Sequence, residues 1–92
     1  MSHQVKLERQ AFNQLERLGD PQRTRIVNAI LALEHDPFPP GKKWKRLEGT
    51  RGLVRLRTGD YRVIYEVLSD EVHVLAVIHR RDLERLLRAI AR

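Results

Sequence analysis

A 92-residue chain with a net charge of +6 and 41% hydrophobic residues has room for one domain and a small core, and is too apolar for a disordered tail. It has no cysteine, which excludes a disulfide framework, a thiolate nucleophile and a cysteine-ligated zinc. No apolar run reaches the roughly 20 residues of a membrane span, and the N-terminus MSHQVKLERQ lacks the apolar core of a secretory signal, so residues 1–92 read as one cytoplasmic domain.

His3 to Leu7 alternates and predicts a short first strand with Val5 and Leu7 on one side. From Glu8 to Leu18 the period changes: Ala11, Leu15 and Leu18 recur at helical spacing, with Phe12 beside them, and Gly19 is expected to end the helix in a left-handed conformation. Asp20-Pro21 predicts a second start, Asp20 as N-cap and Pro21 at the first helical position, with Ile26, Val27, Ile30, Leu31 and Leu33 as the apolar stripe of a helix reaching His35. Two antiparallel helices joined by a short turn follow. Residues 36–43, DPFPPGKK, are a loop. Three strands are expected next, over 52–57, 61–68 and 71–79, joined by Thr58-Gly59-Asp60 and Ser69-Asp70 as turns. The chain closes on a helix whose stripe is Leu83, Leu86, Leu87 and Ile90. The predicted class is therefore α+β: a small antiparallel sheet in β-α-α-β-β-β-α order, with the helix hairpin packed on one face.

Charge follows this division. Residues 1–41 hold five basic and five acidic side chains, whereas residues 42–92 hold thirteen basic and seven acidic, so the whole excess lies in the half that carries the sheet. Such asymmetry points to an anionic partner, nucleic acid or an acidic protein segment. Strand alternation sharpens the point. Val54, Leu56, Val63 and Tyr65 fall on one face, and Arg55, Arg57 and Arg62 on the other. The last strand sets Val72, Val74, Ala76 and Ile78 against His73, Leu75, Val77 and His79; apolar on both faces, it is expected inside the sheet, delivering His79, Arg80 and Arg81 to the basic face. Guanidinium groups grip phosphate in two-pronged fashion and repel one another when clustered, so such a cluster suits an anion. Trp44, amid Lys42, Lys43, Lys45 and Arg46, reads equally as a base-stacking residue or a loop anchor, Tyr61 and Tyr65 as core, and His35 and His73 as structural.

WKRLEGTRGLVRLRTGDYRVIYEV followed by VLAVIHRRD resembles the RelE/ParE superfamily of toxins from type II toxin–antitoxin pairs. The resemblance lies in Leu47-Glu48-Gly49, in the run from Arg57 to Tyr65 and in His79-Arg80-Arg81, and implies a RelE-like fold. The RelE branch implies a ribosome-dependent mRNA endoribonuclease in which a 2′-hydroxyl attacks the adjacent phosphate with no metal or cofactor, while arginines and lysines stabilise the developing charge. On that basis Arg62, Arg55 and Arg81 are expected to be catalytic, with His79 or Glu84 as proton-transfer residue and Arg57, Arg80, Lys45 and Arg46 holding RNA. Two departures stand out: Leu53 occupies a position where some members carry a lysine, and Glu84 one where many carry a tyrosine. The implied partners are a cognate antitoxin and mRNA on the ribosome; the ParE branch implies inhibition of DNA gyrase instead, and a non-catalytic module that binds nucleic acid or antitoxin is the third reading.

Overall fold

The computed structural model describes residues 2–41 and 43–90, Ile90 by its backbone alone. The chain runs through β1 (Gln4–Leu7), α1 (Arg9–Glu16), α2 (Gln22–Ala32), β2 (Trp44–Arg46), β3 (Val54–Thr58), β4 (Tyr61–Leu68), β5 (Glu71–His79) and α3 (Arg80–Ile90). The α+β class and the order of the predicted elements hold. Lys42, counted with the basic segment, and the Ile90 side chain, assigned to the last stripe, lie outside the described residues.

The sheet has five strands in the order β1-β5-β4-β3-β2 and is mixed: β1 joins β5 in parallel, and the other neighbours are antiparallel. The parallel pairing corrects the expected all-antiparallel sheet, and it places β5 between two partners, as its two apolar faces require. β2 lies between the expected loop over 36–43 and the first of the three expected strands; its three residues are too short to show alternation, and only their pairing with Leu56, Arg55 and Val54 makes them a strand.

Local chemistry explains the joints. Thr58 pairs with Tyr61 across a two-residue loop whose first position, Gly59, has φ 60°, the conformation a tight hairpin asks of a glycine. α1 stops at Glu16, and Gly19 is not left-handed, so the turn closes through Arg17 and Leu18 rather than a glycine cap. α2 starts at Gln22, one residue past Pro21, and the Asp20 carboxylate accepts the Thr24 hydroxyl (2.7 Å). Beyond Ala32 the backbone tightens to three-residue hydrogen bonds through His35, which accounts for the longer helix expected there.

Ala11 and Leu15 of α1, Ile26 and Ile30 of α2, and Leu33 bury against Val54, Leu56, Val63, Tyr65, Val72, Val74 and Val77. Burying each large aliphatic side chain contributes about 1.5–3 kcal/mol before chain entropy is charged. Tyr65 is fully buried and its hydroxyl donates to the Pro37 carbonyl (2.6 Å), tying the proline loop to the core. Burial, reinforced by Asp36, pushes this phenol up to about 12, so it stays a donor.

The faces of β5 do not follow simple alternation. Ile64 pairs with Ala76 but Tyr65 pairs with Val74, so Leu75 is the extra residue of a β-bulge. Val72 and Val74 face the helix hairpin, but past the bulge it is Val77 that does so, and its N–H donates to the Gln14 side chain of α1 (2.7 Å). Ala76 therefore joins Ile64 on the opposite face, where both are buried and α3 packs across β4 and β5. This overturns the expected grouping of Ala76 and Ile78 with Val72 and Val74.

Candidate functional site

The face that α3 shares with the arginines forms a groove of about 520 Å³. β2 contributes Lys45, β3 Arg55, β4 Arg62 and the first turn of α3 Arg80, with Leu83 and Leu87 as an apolar wall. Pairing puts Lys45 directly opposite Arg55, and Arg57 directly opposite Arg62. Like charges so placed destabilise a sheet in the absence of a counter-ion. Among the described residues no carboxylate lies within ion-pair distance of Lys45, Arg55, Arg57 or Arg62; Arg80 approaches Asp60 at 3.8 Å.

Arg62 is the centre of the cluster. Its Nη1 donates to the carbonyls of Gly59 (3.0 Å) and Tyr61 (2.9 Å), which fixes the guanidinium against the hairpin that carries it. Partial burial, followed by the charges of Arg55, Arg57 and Arg80, lowers its pKa from the ordinary arginine value, and Asp60 opposes the shift. A guanidinium keeps its charge through such a shift, so an anion can relieve the repulsion and loss of a proton cannot. The Arg80 N–H donates to the Asp60 carbonyl (2.8 Å), anchoring the start of α3 to the same hairpin. The positive end of that helix adds to the field of the groove.

The remaining predicted residues divide. Arg57 is exposed at the end of the strand pair, beside the groove. Arg46 borders the groove, but its guanidinium turns to the aromatic pair on the other side of β2, 4.9 Å from the centre of the Phe38 ring and 6.0 Å from that of Trp44. Trp44 resolves to a loop anchor: its indole donates to the Pro39 carbonyl (2.7 Å) and its ring packs on Phe38. His79 lies on the hairpin side, edge-on to Tyr61, and its Nδ1 accepts the Arg81 N–H (3.1 Å), capping the start of α3. The bulge is the reason: it turns residues 76–79 by half a period, so His79 and Arg62 occupy opposite faces. The Arg81 side chain also turns toward His79 (3.5 Å), and Arg80 takes the place in the groove expected of Arg81. Glu84 is spent in an exposed ion pair with Arg88 one turn on (2.9 Å), away from the groove. Glu48, within Leu47-Glu48-Gly49, does line the groove, and sequence reasoning missed it because a loop carries it and alternation says nothing about loops.

The model of the ParE toxin of the type II toxin–antitoxin system parDE matches residues 5–84. The chain belongs to this ParE toxin family. This ParE-family toxin is 30% identical over 84 residues to the RelE1 toxin of Methanocaldococcus jannaschii, covering 89% of this chain and 93% of that protein. The archaeal RelE–RelB complex from Pyrococcus horikoshii superimposes with a TM-score of 0.75 at 34% identity, over 87% of this chain and 97% of that one. A free-state RelE variant from Escherichia coli shares the fold with a TM-score of 0.74 at 19% identity, over 99% and 95% of the two chains. The toxin is thus a member of the RelE/ParE superfamily of type II toxin–antitoxin systems.

Proposed function

We propose that this toxin is a metal-independent, ribosome-dependent mRNA endoribonuclease of the cytoplasm, held in check by a cognate antitoxin. The observation that carries the reading is the convergence of Lys45, Arg55, Arg62 and Arg80 on one groove beside an apolar wall. Attack of a 2′-hydroxyl on the neighbouring phosphate forms a 2′,3′-cyclic phosphate and breaks the bond to the 5′-oxygen, which takes up a proton and leaves as a hydroxyl. The charge that builds on the phosphorane oxygens is stabilised by pre-set cations around that position. Arg62, fixed by two carbonyls, is the principal stabiliser; Arg55 and Arg80 flank it, and Lys45 and Arg57 hold the RNA backbone on either side. His79 and Glu84 are bonded elsewhere, so the proton of the attacking hydroxyl passes to Glu48, the carboxylate in the lining. The antitoxin partner rests on family membership and on the solved complexes of relatives, among them the RelE–RelB complex of Pyrococcus horikoshii.

A second reading, inhibition of DNA gyrase, is favoured by the match to the ParE model. One experiment separates the two. The chain is induced in bacterial cells while mRNA 5′ ends are mapped and plasmid supercoiling is followed. New 5′ ends inside translated messages, with supercoiling intact, are expected. Growth arrest with unchanged 5′ ends overturns the endoribonuclease reading, and loss of supercoiling supports the second.

A further inference from the structure

A second groove, of about 540 Å³, lies on the hairpin side of the sheet between α2 and the proline loop. Its floor is aliphatic, with Ala29, Pro39 and Leu56, and its rim carries Arg25, Lys43 and Arg57. Among the described residues none of these three cations is within ion-pair distance of a carboxylate. An apolar floor under a cationic rim complements a chain that offers aliphatic side chains and carboxylates together. RNA fits less well, because base stacking needs an aromatic platform and the nearby Trp44 ring is already committed to Phe38 and the Pro39 carbonyl. A second copy of the chain would bring a rim of the same sign and a net charge of +6 against this one.

We propose that the groove between α2 and the Pro39–Pro40 loop docks an acidic peptide segment, seating an aliphatic side chain on its floor and carboxylates on Arg25, Lys43 and Arg57. Arg57 also pairs directly with Arg62 across the hairpin, so a rim residue of this groove stands next to the centre of the other. A carboxylate placed on Arg57 reduces the positive field at Arg62, and an occupant of the hairpin side weakens anion binding on the α3 side without touching it. This second consequence rests on the reading of the α3-side groove as an RNA site; the docking itself does not.

The probe is a dye-labelled synthetic peptide of alternating glutamate and leucine, titrated against the full chain by fluorescence polarisation. Binding is expected, and Ala32→Glu, an exposed wall position whose change leaves the core untouched, is expected to raise Kd about tenfold or more, as loss of a central anchor does. Arg25→Ala should weaken binding in the same direction, and Arg62→Ala, which removes a charge beside Arg57 but none from the groove, should weaken it less than Arg25→Ala does. Peptides with alanine for leucine, or glutamine for glutamate, should bind more weakly. Undiminished binding by Ala32→Glu overturns the proposal, as does equal binding of the alanine peptide, which would mark simple charge attraction. An oligoribonucleotide that binds Arg62→Ala and loses affinity on Ala32→Glu would assign the groove to RNA and overturn it too. Peptide binding by a chain that cuts no RNA keeps the docking site and removes the nuclease; cleavage without peptide binding does the reverse.

Discussion

Replacing Arg62 with alanine should separate stability from activity. The side chain gives the fold two hydrogen bonds, to the carbonyls of Gly59 and Tyr61, and Gly59 sits on an exposed turn where water can replace the guanidinium. A charged donor typically contributes about 1.5–3 kcal/mol, and exposure of the turn puts this one at the low end. Against this stands relief of repulsion from Arg55, Arg57 and Arg80, which acts in the opposite direction. The net change in stability should fall within about 1 kcal/mol, a shift of melting temperature no larger than about 4–8 °C for a chain of this size. The chemistry should suffer far more. Losing one pre-set donor to developing charge typically slows a reaction about 10²–10³-fold, or about 3–4 kcal/mol of barrier. The assay is single-turnover cleavage of a defined message on programmed ribosomes, run beside thermal unfolding by circular dichroism, with Arg62→Lys as a charge-preserving control that lacks the two-pronged geometry. A folded Arg62→Ala protein that cleaves at the parent rate refutes the assignment. So does a loss of activity that tracks unfolding across both variants, since Arg62 would then be structural.

Glu48→Gln should lower the cleavage rate about 10²-fold, while Glu84→Gln leaves it unchanged; equal effects of the two would remove Glu48 from the reaction. Tyr65→Phe strands the buried Pro37 carbonyl and should cost about 1–3 kcal/mol in urea unfolding, with a change in Trp44 emission as the proline loop loosens; an unchanged midpoint would show that the bond contributes nothing. The Thr58 hydroxyl is buried without a partner, so Thr58→Val should stabilise by about 1 kcal/mol, and a destabilised variant would mean the hydroxyl is satisfied in solution. His73 hydrogen-bonds Glu71 (2.9 Å) and lies 3.5 Å from Glu8, and Glu71 first, then Glu8, raises its pKa above the ordinary 6.5, against a smaller opposing effect of burial. A raised value means that protonation favours the folded state: the contribution is complete below 6.5 and fades as pH climbs through the higher folded value. Urea midpoints of the parent should therefore fall over that range more than those of His73→Gln, and parallel pH profiles would dismiss the linkage.

Much of this was legible in sequence because alternation and helical period are local. The run from Leu53 to Val67 sorts core from basic face correctly on β3 and β4, where a two-residue hairpin loop fixes the register, and so Arg55, Arg57 and Arg62 could be placed together. The double-sided apolar pattern of β5 likewise announced an interior strand. What escaped notice depends on partners distant in sequence. β2 is defined by β3, and its existence sends Lys45 into the groove while Arg46 turns to Phe38 on the other side. The bulge at Leu75 has no signature in VHVLAVIH, yet it moves His79 away from the arginines. The choice between Arg80 and Arg81 follows from where α3 begins, a matter of one residue that helical periodicity does not resolve.

The extra residue at Leu75 also sets what lengths the chain tolerates. Leu75 stands between Val74 and Ala76, which pair with the consecutive Tyr65 and Ile64, so it is the residue of β5 that the ladder can do without. Deleting Leu75 would remove the bulge and leave Val74 and Ala76 as consecutive residues opposite Tyr65 and Ile64, so every remaining side chain of β5 would keep its face. Deleting a paired residue on either side of it would instead turn one half of β5 inside out, so that either Val72 and Val74 would leave the core or α3 would lose its footing over Ile64 and Ala76. Residues 47–53, which join β2 to β3 outside the regular ladder, face no such parity and should absorb a one-residue change with far less harm. In this small toxin, strand length is as much part of the site as the arginines.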